Sequence, residues 1–105
     1  MSSATIALLN DFARVTLTDC RVVITAGIAA LDDLDAIMAK VSAFNDFNAS
    51  NDPYGEHDFG VVKHGDNTVF WKIDMYDLDL CMASPDPADA TVTARVLTVM
   101  LAEEY

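Results

Sequence analysis

Residues 68–76, TVFWKIDMY, constrain the fold most strongly. Val69, Trp71, Ile73 and Met75 alternate with Phe70, Lys72, Asp74 and Tyr76, a period of two that a β-strand sorts into one apolar and one mixed face. A second strand-like run, Asp58 to His64, precedes it. Gly65, Asp66 and Asn67 between the two are turn formers that tolerate positive φ, so the pair reads as a β-hairpin. With a three-residue loop, Phe59, Val61 and Lys63 join the apolar face, and Asp58, Val62 and His64 share the mixed face with Lys72, Asp74 and Tyr76. A loop one residue different in length reverses that grouping.

The flanking segments read mainly as amphipathic scaffold. From Ser3 to about Leu17, Ile6, Leu9, Phe12 and Ala13 fall at helical spacing, with Leu8 and Val15 widening the buried stripe and Ser2 or Ser3 at the cap. RVVIT, residues 21–25, is rich in β-branched residues and reads as a strand, and Gly27 marks a bend. Leu34, Ile37, Met38, Val41 and Phe44 share one face of a helix over Leu31 to Phe47, with Asp32 as its N-cap. The run Leu80 to Ala83 extends the sheet. SPDPAD, residues 84–89, announces a last helix with Asp86 as N-cap and Pro87 at the first helical position; Val92, Val96, Val99 and Met100 then repeat helically. The expected architecture is a single α+β domain over residues 1–105: a small, mainly antiparallel sheet with a β-hairpin, packed against three helices in the order α-β-α-β-β-(β)-α.

A chain of 105 residues, 52% hydrophobic, buries one core. It has no apolar run near the roughly 20 residues that span a bilayer, and its start lacks a basic leader region, so a cytoplasmic location is expected. In that setting Cys20 and Cys81 are expected as ordinary unpaired thiols. The formal net charge is -11, from 14 Asp and 3 Glu against six Lys and Arg. Such a charge repels nucleic-acid phosphates and anionic lipid, which argues against direct nucleic-acid or membrane binding. It attracts a basic protein surface or a divalent cation.

The unusual chemistry is crowded between Asn51 and Asp79, which hold both histidines, the only tryptophan and three of the four glycines. Glu56, His57 and Asp58 place an imidazole between two carboxylates. A general base needs such neighbours to fix its tautomer, and a divalent metal is ligated by the same groups. Asp52, in the Pro- and Gly-containing loop with Tyr54, Lys72 beside Asp74, and the acids Asp77 and Asp79 complete a candidate binding surface. No EF-hand pattern, phosphate loop, dinucleotide fingerprint, C-x-x-C or G-x-S-x-G is present.

At NDPYGEHDFG, FWKIDMYD and SPDPADATVTARVLTVMLAEEY, and also at RVVITAGIAAL and the helix to Phe47, the chain resembles domain-of-unknown-function family 3768, small proteins chiefly of alphaproteobacterial genomes and their mobile elements. The resemblance implies that Asp52, Tyr54, Gly55, Glu56, His57, Asp58, Trp71, Lys72 and Asp74 belong to the family pattern, whereas Cys20 and Cys81 do not. It implies no activity. The first expectation is a small acidic interaction module that docks on a basic partner, in its sharpest form an inhibitor that mimics nucleic acid. The alternative is a metal-assisted or His/carboxylate acid-base hydrolase, with His57 as base or ligand, Asp58 and Glu56 orienting it and Lys72 stabilising charge. A third is an accessory subunit that forms a homodimer through the hairpin edge.

Overall fold

A computed structural model describes residues 2–105. The hairpin pairs β2 (Phe59–His64) with β3 (Asn67–Tyr76), and its last pair is His64 with Asn67, so the loop is the two residues Gly65 and Asp66. Gly65 alone of these takes positive φ, at 60°, as a glycine at the first loop position of a two-residue hairpin favours. This shorter loop reverses the expected faces. Gly60 and Val62 lie with Trp71 and Val69, while Phe59, Val61 and Lys63 lie with Lys72, Phe70 and Thr68.

The larger departure is at the expected last helix, which is instead β4 (Ala94–Leu101). The cap there is Asp89 rather than Asp86, accepting from the Thr91 N–H at 2.9 Å, and what it caps is a single 3-10 turn over Ala90–Val92. Thr91, Val92, Thr93, Val96, Thr98 and Val99 are all β-branched, so they lose rotamer freedom in a helix and fit a pleated strand. Tertiary pairing then settles the outcome, because β4 fills the gap between β3, antiparallel to it, and β1 (Cys20–Ile24), parallel to it. The sheet order is β1-β4-β3-β2. The run Leu80 to Ala83 contributes only one bridge, from Ala83 to Tyr76.

The described residues form an α+β fold with three α-helices: the expected first and second are present, and the third is a short helix after β1 in place of the expected C-terminal one. α1 (Ser2–Thr16) is followed after β1 by α2 (Ala26–Ala30), which contains Gly27, and α3 (Leu34–Ala43). Asp32 is not the cap of α3. Asp33 holds the cap position, and its side chain turns instead to His64 Nε2 at 2.6 Å. Ile28, Ile37 and Val41 of α2 and α3 pack on Val69, Trp71, Ile73, Leu97 and Val99 to form the core. Trp71 is fully buried against Gly60, its cross-strand partner, where a Cβ would lie 2.4 Å from the indole Nε1. The opposite sheet face is open. There Phe59 and Phe70 meet edge to face at 5.2 Å beside Tyr105, and Lys72 pairs with Asp74 at 2.8 Å.

α1 buries Ile6, Ala7, Asn10, Ala13 and Arg14. Leu8, Phe12 and Val15, expected within the buried stripe, are 70%, 51% and 55% exposed. The helix is turned this way because its polar residues serve buried backbone. Arg14 Nη1 donates to the carbonyls of Val41 at 2.8 Å and Ser42 at 3.0 Å, closing the end of α3. The same guanidinium lies 4.9 Å from the Trp71 ring centre and 5.6 Å from that of Phe47.

Candidate functional site

The loop from Asn48 to Asp58 is built around Asp52, whose residue is 9% exposed. Its carboxylate accepts the backbone N–H groups of Glu56 at 3.1 Å and His57 at 3.2 Å, while Gly55 takes a φ of 68° to complete the turn. His57 itself has a φ of 56°, a left-handed conformation uncommon for a residue with a Cβ. The imidazole is held on three sides. Its ring stacks on Phe47 at a centroid distance of 3.8 Å, Nδ1 lies 3.0 Å from both oxygens of Asp11, and Nε2 lies 3.7 Å from Asp52 Oδ2. Because a carboxylate only accepts, Nδ1 carries the hydrogen of the Asp11 bond.

Asp11 also accepts from Arg14 Nη2 at 3.1 Å, so one carboxylate joins the loop to the helix cation. Asn10 adds a second tie: its amide donates to the Glu56 carbonyl at 3.0 Å and its oxygen accepts from Arg95 Nε at 2.7 Å. Asp52, His57 and Glu56 thus meet α1 through Asn10, Asp11 and Arg14. The sequence signal for these missed partners was their place in a helix whose apolar pattern they interrupt, but nothing local tied them to a loop some 46 residues away.

The other expected site residues are spread around this anchor. Asp58 is half-buried. Burial raises its carboxyl above the ordinary range and Asp52 and Asp74 add to the rise, while its own backbone N–H and His57 oppose it. Glu56 is raised in the same direction by burial, then by Asp58 and Asp52. Lys72 is raised mainly by its hydrogen bond to Asp74 on the open sheet face. Tyr54 is 78% exposed, and Asp77 caps the following loop by accepting from the Cys81 N–H at 3.0 Å. Cys20 and Cys81 are both free. Among the described residues, no group of three or more His, Cys, Asp or Glu side chains is placed to hold a metal ion. None of the described helices is long and apolar enough to cross a membrane. His64, on the hairpin, bonds to Asp33 and accepts from Lys40 Nζ at 3.2 Å, which fixes its Nε2–H tautomer.

An exposed apolar stripe lies next to the anchor, on the outer side of α1. Leu8, Phe12 and Val15 stand at i, i+4 and i+7, one helical face. Phe12 and Leu9 also wall a cavity of about 510 Å³, closed on its other side by Leu78, Ala90 and Ala94, with Thr18 and Asp19 at the α1–β1 turn and Arg95 among its lining residues. Leu78 is 63% exposed and sits between Asp77 and Asp79. The acids fall in groups at both ends of the sheet. Asp32, Asp33, Asp35, Asp66, Glu103 and Glu104 are near the hairpin turn, and Asp19, Asp52, Glu56, Asp58, Asp77, Asp79, Asp86 and Asp89 are at the opposite end.

A family model described as a protein of unknown function (DUF3768) matches residues 24–104. No curated protein and no solved structure matches the chain.

Proposed function

The chain belongs to the DUF3768 family of proteins of unknown function, and for it we propose a cytoplasmic protein-interaction module whose acid-framed apolar surface docks on a basic partner. The observation that carries this reading is the stripe Leu8, Phe12 and Val15, each at least half exposed on one face of α1. Contiguous apolar area of this kind is costly to leave in water and marks interaction surfaces. Asp19 lines the cavity that Phe12 also walls, Leu78 of the same lining stands between Asp77 and Asp79 in sequence, and the chain's charge of -11 favours the approach of a cation-rich surface. The partner's fitting chemistry is therefore an apolar ridge flanked by Lys and Arg, as in a basic amphipathic helix.

Acids grouped at both ends of the sheet favour general docking over mimicry of one phosphate track. The hydrolase reading ranks second because the polar groups of the 51–58 loop already have internal work. Asp52 holds the loop backbone, Asp11 occupies Nδ1 of His57, and the cavity beside α1 is lined by other residues.

The test is affinity capture with the parent and with a Leu8→Glu/Val15→Glu variant, at low and high salt. Both positions are more than half exposed, so the variant should remain folded. The expected result is a protein of isoelectric point above about 9 retained by the parent, released by salt and absent from the variant. Retention of the same proteins by both forms, an acidic captured protein, or no capture at all refutes the reading.

A further inference from the structure

The cavity beside α1 has one feature that apolar docking leaves unused. Arg95 is 5% exposed, yet it has no ion pair with any described carboxylate. Its Nε donates to Asn10 Oδ1 and its Nη2 to the Pro87 carbonyl, both neutral acceptors. Nη1 makes no hydrogen bond among the described residues and is not among the atoms sealed from solvent. A buried cation with only neutral partners is expensive, and the nitrogen left without a partner, Nη1, belongs to a residue that lines the cavity. Burial also pulls the Arg95 guanidinium below its ordinary range, the expected sign for a cation short of counter-charge.

Beside Arg95 the lining includes the apolar side chains of Leu9, Phe12, Ala13, Leu78, Ala90 and Ala94, and the hydroxyl of Thr93 is already committed to the carbonyls of Asp86 and Asp89. The only acid in the lining is Asp19, which is exposed. About 510 Å³ is ample for a small molecule.

We infer that this cavity binds a small carboxylate with an apolar body, its carboxylate on Arg95 Nη1 and its body between Leu9, Phe12 and Leu78. A planar guanidinium suits this headgroup, and apolar walls on both sides suit a short alkyl or aromatic body. This inference does not rest on the protein-docking reading, because of the stripe residues the cavity uses only Phe12, and neither Leu8 nor Val15 lines it.

Octanoate, 1-octanol and octylammonium share one alkyl body and differ in headgroup charge, so isothermal titration of the full chain with each separates headgroup from body. Saturable one-to-one binding of octanoate, at least tenfold tighter than octanol and with octylammonium silent, is expected. Leu78→Asp places a carboxylate in the cavity wall at a 63% exposed position and should weaken octanoate at least tenfold without changing the melting temperature. Arg95→Met should abolish the preference for octanoate over octanol. Because that variant loses the Asn10 bond and can fail to fold, Leu78→Asp is the deciding variant. Octanol binding as tightly as octanoate, no saturable binding at millimolar octanoate, or indifference to Leu78→Asp overturns the inference. Leu8→Glu/Val15→Glu alters the docking stripe but no lining residue, so it should leave octanoate binding intact even if the docking reading fails.

Discussion

Gly60→Ala should test how the core is packed. The new Cβ would lie 2.4 Å, 2.6 Å and 2.8 Å from Nε1, Cε2 and Cζ2 of Trp71, distances at which something must move. The indole has little room to yield, being fully buried between its own strand, the Arg14 guanidinium and the edges of Phe44 and Phe47. Overpacking of this kind costs about 2–3 kcal/mol, and the reduced freedom of the unfolded chain offsets about 0.5 kcal/mol, leaving a net loss of about 2 kcal/mol. With an unfolding entropy of about 2.1 cal/mol/K per residue over 105 residues, that lowers the melting temperature by about 9 °C. The assay is a double-mutant cycle by urea denaturation, followed by far-UV circular dichroism because the chain has one tryptophan. In a Trp71→Leu background the alanine should cost about nothing, giving a coupling near 2 kcal/mol. Equal destabilisation in both backgrounds, or a Gly60→Ala protein as stable as the parent, would refute the packing account.

Arg14→Met removes the donor to the Val41 and Ser42 carbonyls and leaves Asp11 with His57 alone; a loss of about 3 kcal/mol is expected in the same denaturation assay, with the 48–58 loop cleaved faster by protease. Asp58→Asn addresses pH. Burial raises the folded carboxyl above its unfolded value, so the ionised group disfavours the fold, and stability is gained as pH falls through the folded pKa. The asparagine variant should therefore melt higher than the parent near neutral pH and lose that advantage by about pH 3. A difference that stays constant with pH would contradict this sign.

The hairpin was legible because period-two alternation and turn residues agree there. Its register was not, since Gly65-Asp66-Asn67 supplies three turn formers and only the pairing of His64 with Asn67 decides how many the loop uses. β4 was misread because a nearly continuous apolar run satisfies both periods. Its density of β-branched residues points to a strand, whereas the SPDPAD capping pattern before it points to a helix. For the site, the turn-forming roles of Asp52 and Gly55 were visible in the loop itself. The partner of His57 was not, because Asp11 reaches it through tertiary packing that leaves no spacing rule in the sequence. Asn10 and Arg14 escaped notice for the same reason, although polar residues at i and i+4 on a helix that otherwise buries apolar ones are a sign that buried backbone lies opposite.

The parallel pairing of β1 with β4 bears on the order of assembly. Cys20 and Arg95, paired across it, are some 75 residues apart, whereas β2 and β3 meet across two. Closing the long loop costs entropy before any strand contact repays it, so the hairpin should form early and β1 should wait. Until β4 arrives, β3 has one unpaired edge and β1 has two. Refolding should therefore be slowest in its final step, and an interruption before residue 94 would leave a population that joins through those free edges into aggregates rather than into the native sheet.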